Sequence, residues 1–193
     1  MINDNVYLGS ANPDWTGGIT NTFNYKNFSL SFLIDAQFGG YLYEDGMRWA
    51  SFFGNAKRTL LGRTGTYIPQ GVVNTGTDAS PDFATNTLPF SPYQQYNGGG
   101  TLAYYADEES VFKKTFIKFR QLSLGYSLPG HWLGKSGIRS ATFSLIGRNL
   151  FYFKKDVPMF DPQSSDSINN GFGYDSGGLP ASRTYGFNLN LKF

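Results

Sequence analysis

The sequence contains no cysteine among its 193 residues and only one histidine, His131. A disulfide framework and a thiolate metal site are therefore excluded. His131 sits in a short turn beside Trp132, with no carboxylate or nucleophile placed to work with it. It reads as a surface residue, not a general base. Charge is also scarce, at 16% of residues against roughly 25% in soluble proteins. The net charge of +2 is small, and its densest basic group (Lys113, Lys114, Lys118, Arg120) forms no run, so nucleic acid is not an expected partner. No stretch approaches the roughly 20 apolar residues of a transmembrane helix. The opening residues, Met-Ile-Asn-Asp-Asn-Val-Tyr, have neither the basic nor the apolar region of an export signal. Neither Gly98-Gly99-Gly100 nor Gly171-Phe172-Gly173 has the spacing of a phosphate loop. The sequence predicts no enzyme and no cofactor.

What is present is aromatic and alternating. Phe and Tyr number 18 and 13, and Gly contributes 24 residues, yet mean hydropathy is −0.33. Strands with one face in lipid and the other wet have this balance. The segment Arg183–Phe193 is the clearest case. Tyr185, Phe187, Leu189, Leu191 and Phe193 alternate with Gly186, Asn188, Asn190 and Lys192, which puts all the apolar side chains on one face. About ten residues suffice to cross a bilayer when tilted, and those five side chains are expected to face the membrane.

Four other segments alternate in the same way. Residues 17–25 and 28–38, joined by Lys26-Asn27, predict a hairpin. Asn21 interrupts its apolar face and Leu33 its polar one. Residues 115–128 are regular from Gln121 onward, but Ile117 and Phe119 stand in the opposite phase. Either a bulge near Arg120 shifts the register or that end rises clear of the membrane. Residues 140–151 form the fourth segment, diluted by Ile146. The links run short (26–27), long (39–114), short (129–139) and long (152–181), as barrel strands with extracellular loops on one rim require. Five strands cannot close, because about eight is the minimum and open edges in hydrocarbon leave backbone groups unsatisfied. The expected fold is all-β: antiparallel carboxy-terminal strands of a large transmembrane β-barrel, with residues 1–193 as a partial barrel. A short helix is expected around Gly46–Leu61.

Within the first long loop, Tyr41, Trp49 and Tyr104 are candidate contacts for a sugar face or a protein lid. The alternative is that these rings pack the loop on itself. Asp161, Asp166 and Asp175, with Asn169 and Asn170, supply oxygen ligands of the kind calcium takes. They lack the ordered spacing of a calcium loop, read as a solvated outer loop, and predict no metal site. Asp35, Gln37 and Arg148 on the polar, lumen-facing side either line a channel or brace a plug, and bracing is the expected role. Trp132 suits an interfacial aromatic belt.

Several words along the chain are familiar. Asn12-Pro13-Asp14-Trp15-Thr16-Gly17-Gly18, followed by Phe23-Asn24-Tyr25-Lys26-Asn27-Phe28-Ser29-Leu30, resembles a hairpin of the SusC/RagA family of TonB-dependent outer-membrane transporters. Phe119 through Pro129 and Gly147-Arg148-Asn149-Leu150-Phe151 are similar to two later strands of that family. Phe160-Asp161-Pro162 is similar to a loop motif that usually continues with Glu, where this chain has Gln163. Gly178-Leu179-Pro180 leading through Arg183-Thr184-Tyr185 to Phe193 resembles the terminal strand. The resemblance runs from about residue 12 to residue 193, in family order. It implies a barrel of about 22 strands whose last five or so lie here, with signal peptide, TonB box, plug and earlier strands outside this chain. It also implies the cell outer membrane, surrounding lipid, a SusD-like lipoprotein lid, coupling to the TonB complex through the plug, and glycan or peptide cargo. Two other readings stay open: a secreted soluble β-sandwich that binds glycans, and a small porin-like barrel of several copies.

Overall fold

The computed structural model describes residues 6–65, 67–89, 107–134, 137–164 and 171–193. The chain divides into two compact units. The larger, Gly9–Leu42 with Phe112–Phe193, is built on one antiparallel sheet. Its strands are β1 (Trp15–Tyr25), β2 (Phe28–Phe38), β3 (Phe116–Ser127), β4 (Ser140–Lys155) and β5 (Thr184–Lys192), adjacent in that order. All five expected strands are present, and Lys26-Asn27 does turn the first hairpin. Lys26 takes a positive φ of 51° there, a conformation that β-branched side chains resist. Lys26→Val is therefore expected to cost about 1–2 kcal/mol and Lys26→Gly to cost nothing, read as shifts of the urea midpoint.

The register carries the apolar and polar residues into continuous rows. One row is Phe23–Leu30–Leu124–Leu145–Phe187, and the next is Tyr25–Phe28–Tyr126–Phe143–Leu189. Between them on the opposite face lies Asn24–Ser29–Gly125–Ser144–Asn188. A one-residue slip of any strand would send its apolar set to the wrong side. Asn21 sits in the apolar row of Phe32, Leu122 and Tyr185, while Leu33 and Ile146 fall among the polar rows.

The phase reversal in β3 is resolved as a bulge. Both ladders step from Phe119 to Gln121 and leave Arg120 unpaired, and on β4 Asn149 and Leu150 intervene between Arg148 and Phe151. Asn149 has a φ of 53°. The extra residue brings Ile117 and Phe119 back onto the apolar face, where Phe119 aligns with Ile34 and Phe151. β4 runs past its expected end at 151 because Tyr152, Lys154 and Lys155 keep pairing with β3.

The smaller unit, Met1–Leu8 with Tyr43–Val111, comes mostly from the first long connection. The short helix expected around Gly46–Leu61 is present at the start of this stretch. Helix α1 (Asp45–Phe52) is followed by a 3-10 turn at Lys57–Leu60 and a hairpin of Val72–Asn74 with Phe83–Thr85. Two helical turns are unstable alone, so side chains hold them. Arg58 donates to Ser51 Oγ at 2.7 Å and to the Glu109 carbonyl at 2.8 Å, and pairs with the Glu109 carboxylate at 3.3 Å.

Candidate functional site

Two features of the larger unit bear on function: its bare apolar face and a polar network on the other side. Ten residues in the central apolar rows and their continuation (Leu191 included) are between 36% and 76% exposed. Burying such side chains is worth about 1.5–3 kcal/mol each. Leaving roughly half of that unrealised costs on the order of 10 kcal/mol, as much as the whole stability of an ordinary domain. Such a face does not belong in water. It also speaks against the β-sandwich alternative, in which a second layer would cover these side chains; none does among the described residues. Tyr185, Phe187, Leu189 and Leu191 all stand exposed on this side of β5, and Phe193, just past its end, is exposed as well.

The opposite face is lined by short polar residues toward the β1–β2 turn and by charge toward the long connections. Asp35 of β2 faces Lys118 of β3, which faces Tyr152 of β4. The bulged Arg120 bonds Asp35 through Nε at 3.1 Å and through a second, ion-paired contact. Its third link is to Asn149 Oδ1 at 3.3 Å, and Asn149 in turn donates to the Ser182 carbonyl at 3.1 Å. Three strands and the segment before β5 are thereby tied together.

The connection after β4 folds back over this polar face. Val157 is fully buried, and Phe116 packs edge-on against Tyr152 with ring centroids 5.8 Å apart. Tyr152 donates to Asp161 Oδ1 at 2.5 Å, and that carboxylate also accepts from the backbone N–H of Gln163 at 3.0 Å and of Ala181 at 3.1 Å. Burial alone would raise the Asp161 pKa, but these three hydrogen bonds and the nearby Lys118 charge outweigh it and hold the carboxyl below its ordinary value.

Asp161 and Asp175 were expected in a solvated loop, and the structure corrects this: they are 7% and 0% exposed. Asp175 accepts from the backbone N–H of Gly177 at 3.0 Å and of Gly178 at 2.6 Å, and from the Ser164 hydroxyl. Both carboxylates are spent on organising the loop. Asp166, Asn169 and Asn170 lie outside the described residues, as does Tyr104.

The other candidates are placed as follows. Tyr41 lays its ring over Gly9, where an added Cβ would sit 2.3 Å from it. Trp49, on α1 of the smaller unit, donates to Asp45 Oδ2 at 2.9 Å and packs against Phe52 and Phe53. Gln37 donates to the Lys114 carbonyl at 3.4 Å. Arg148 makes no side-chain hydrogen bond or ion pair among the described residues. His131 and Trp132 lie in a single helical turn at Gly130–Leu133, with Trp132 exposed. Sequence reasoning missed Lys118, Tyr152 and Gln163. Their only signal was a charged residue, Lys118, inside a strand.

An open antiparallel wall, apolar on one side and braced by charge on the other, is a section of a transmembrane-type β-barrel. No protein-family model matches the chain. TonB-dependent receptor P3 of Formosa agariphila is 27% identical over 197 residues, covering 98% of this chain and 17% of that protein. TonB-dependent receptor P26 of the same organism is 29% identical over 196 residues, covering 98% and 18%. Among solved structures, the RagAB peptide importer in its open-open state matches 96% of this chain and 18% of its own, with a TM-score of 0.60 and 21% identity. Its closed-closed state gives 0.61 and 20% over the same shares. The chain is thus a relative of the TonB-dependent receptors and shares the fold of part of a RagAB chain, as the SusC/RagA resemblance implied. It spans less than one fifth of the length of these relatives.

Proposed function

We infer that residues 1–193 are the carboxy-terminal part of the barrel of a TonB-dependent outer-membrane transporter of the SusC/RagA kind. The work is import, not chemistry: oligosaccharide or peptide cargo is held between the barrel and a SusD-like lipoprotein and admitted when the TonB complex acts on a plug domain. The observation that carries this reading is the unbroken apolar rows across five strands, exposed on one face and backed by polar rows on the other. In this role Tyr185, Phe187, Leu189, Leu191 and Phe193 face lipid, and Trp132 sits at the membrane interface. The Asp35–Arg120–Asn149 ties keep the wall rigid beneath the long connections. Tyr41 and Trp49 offer aromatic faces to cargo or lid. The two assembled RagAB neighbours support the lipoprotein partner.

The test is complementation in a host whose full gene has been deleted. The full gene restores uptake of its cargo, and the same gene lacking the codons for Thr184–Phe193 does not, with the product lost from the outer membrane. The isolated chain restores nothing. Uptake by the isolated chain, or a conducting oligomer formed from it in detergent, would favour the porin-like reading instead.

A further inference from the structure

The polar face carries a pocket of about 350 Å³ that bracing does not explain. It is lined by Lys118, Tyr152, Lys155, Met159, Asp161 and Arg183, among others. Lys118 is 2% exposed, and its Nζ donates to two neutral acceptors, the Tyr152 hydroxyl at 3.1 Å and Gln163 Oε1 at 3.0 Å. An ammonium has three donors, so one remains. Asp161 and Asp35 offset its charge from a distance, but no carboxylate accepts a hydrogen bond from it among the described residues.

The other charges of the lining point the same way. Asp161 is already committed to Tyr152, Gln163 and Ala181. Lys155 gives one N–H to the Phe160 carbonyl at 3.0 Å and keeps two. Arg183 makes no side-chain hydrogen bond or ion pair among the described residues. Among the described lining residues, three cations therefore share the space with one carboxylate, which is spent. The rest of the lining includes Met159, Phe160 and Pro180, apolar surface suited to the body of a small molecule, and the volume falls in the range of small-molecule sites.

The geometry points to a subsite for an oxyanion, a carboxylate or sulfate carried by a small soluble ligand such as an acidic sugar. Lys118 and Arg183 grip the anion and Lys155 adds charge. A guanidinium reads such a group in two parallel hydrogen bonds, which makes Arg183 the residue that decides affinity.

The experiment is calorimetric titration of the full protein in detergent with glucuronate, inorganic sulfate and glucose. Saturable binding of glucuronate and sulfate is expected, with none for glucose. Arg183→Gln is expected to weaken the anions about tenfold or more, while the control Arg139→Gln, outside the pocket, leaves them unchanged. Arg183 is exposed, so this variant folds even if Lys118→Met does not. Equal binding of glucose, no saturable heat, or an affinity indifferent to Arg183→Gln overturns the proposal. So does a lowered Tm of Arg183→Gln without glucuronate binding, which would mean that an acidic side chain from elsewhere in the protein fills the site. Uptake is not measured, so this result is independent of the transport reading.

Discussion

Leu124→Arg is expected to destabilise the membrane-inserted protein by about 2–4 kcal/mol, the cost of a cation near the mid-plane of a barrel's lipid face. Leu124 stands in the row Phe23–Leu30–Leu124–Leu145–Phe187, with apolar rows on both sides of it. From there an arginine reaches neither interface without dragging water or headgroups inward. Its sequence neighbour Ser123 lies on the polar face among Ser31, Thr22 and Ile146, so Ser123→Asn should leave stability within about 0.5 kcal/mol. Urea titration of the full protein folded into lipid vesicles reads both. The two substitutions sit one residue apart, so only the direction of the side chain separates them. A soluble protein would reverse the ranking, because an arginine on an exposed apolar patch improves solubility. Equal or improved stability of Leu124→Arg would therefore sink the membrane assignment.

The strands were legible because lipid on one side and polar surroundings on the other write a period of two directly into residues such as Phe28 to Phe38 and Tyr185 to Leu191. Even the bulge left a trace, in the reversed phase of Ile117 and Phe119. What periodicity cannot show is side chains meeting across strands and loops. Lys118 reaches Gln163, and Arg120 reaches Asp35, over separations of 45 and 85 residues. No local pattern marks either pair. The acidic loop was misjudged for a related reason. Asp161 and Asp175 look like solvated charges in sequence, yet each is satisfied by backbone N–H groups that only the folded loop presents. The helix expected around Gly46–Leu61 proved shorter, because only Asp45–Phe52 forms α1 and the chain then turns at Lys57–Leu60, where Arg58 bonds back to Ser51.

Asp161→Ala is expected to free the connection after β4 from the wall. The substitution removes the acceptor for Tyr152, for the Gln163 N–H and for the Ala181 N–H, and leaves the buried Lys118 without its nearest compensating charge. Each stranded donor that stays buried costs about 1–3 kcal/mol. The segment should therefore open, at a local cost of about 2–5 kcal/mol, and not hold the donors dry. Hydrogen exchange at residues 156–164 and 179–182 should rise steeply, while the cores of β2 and β3 exchange as before. Acid should mimic the substitution. The folded-state pKa of Asp161 lies below its ordinary value of 3.8, so its contribution is complete above that value. It is lost as pH falls through the lower folded value. The wild-type protein should thus lose protection in this segment only at strongly acidic pH. Asp161→Asn should show partial opening at neutral pH and no further acid step from this site. Equal protection of the segment in Asp161→Ala and wild type would mean that Val157 and the rings around Tyr152 hold the loop by packing alone.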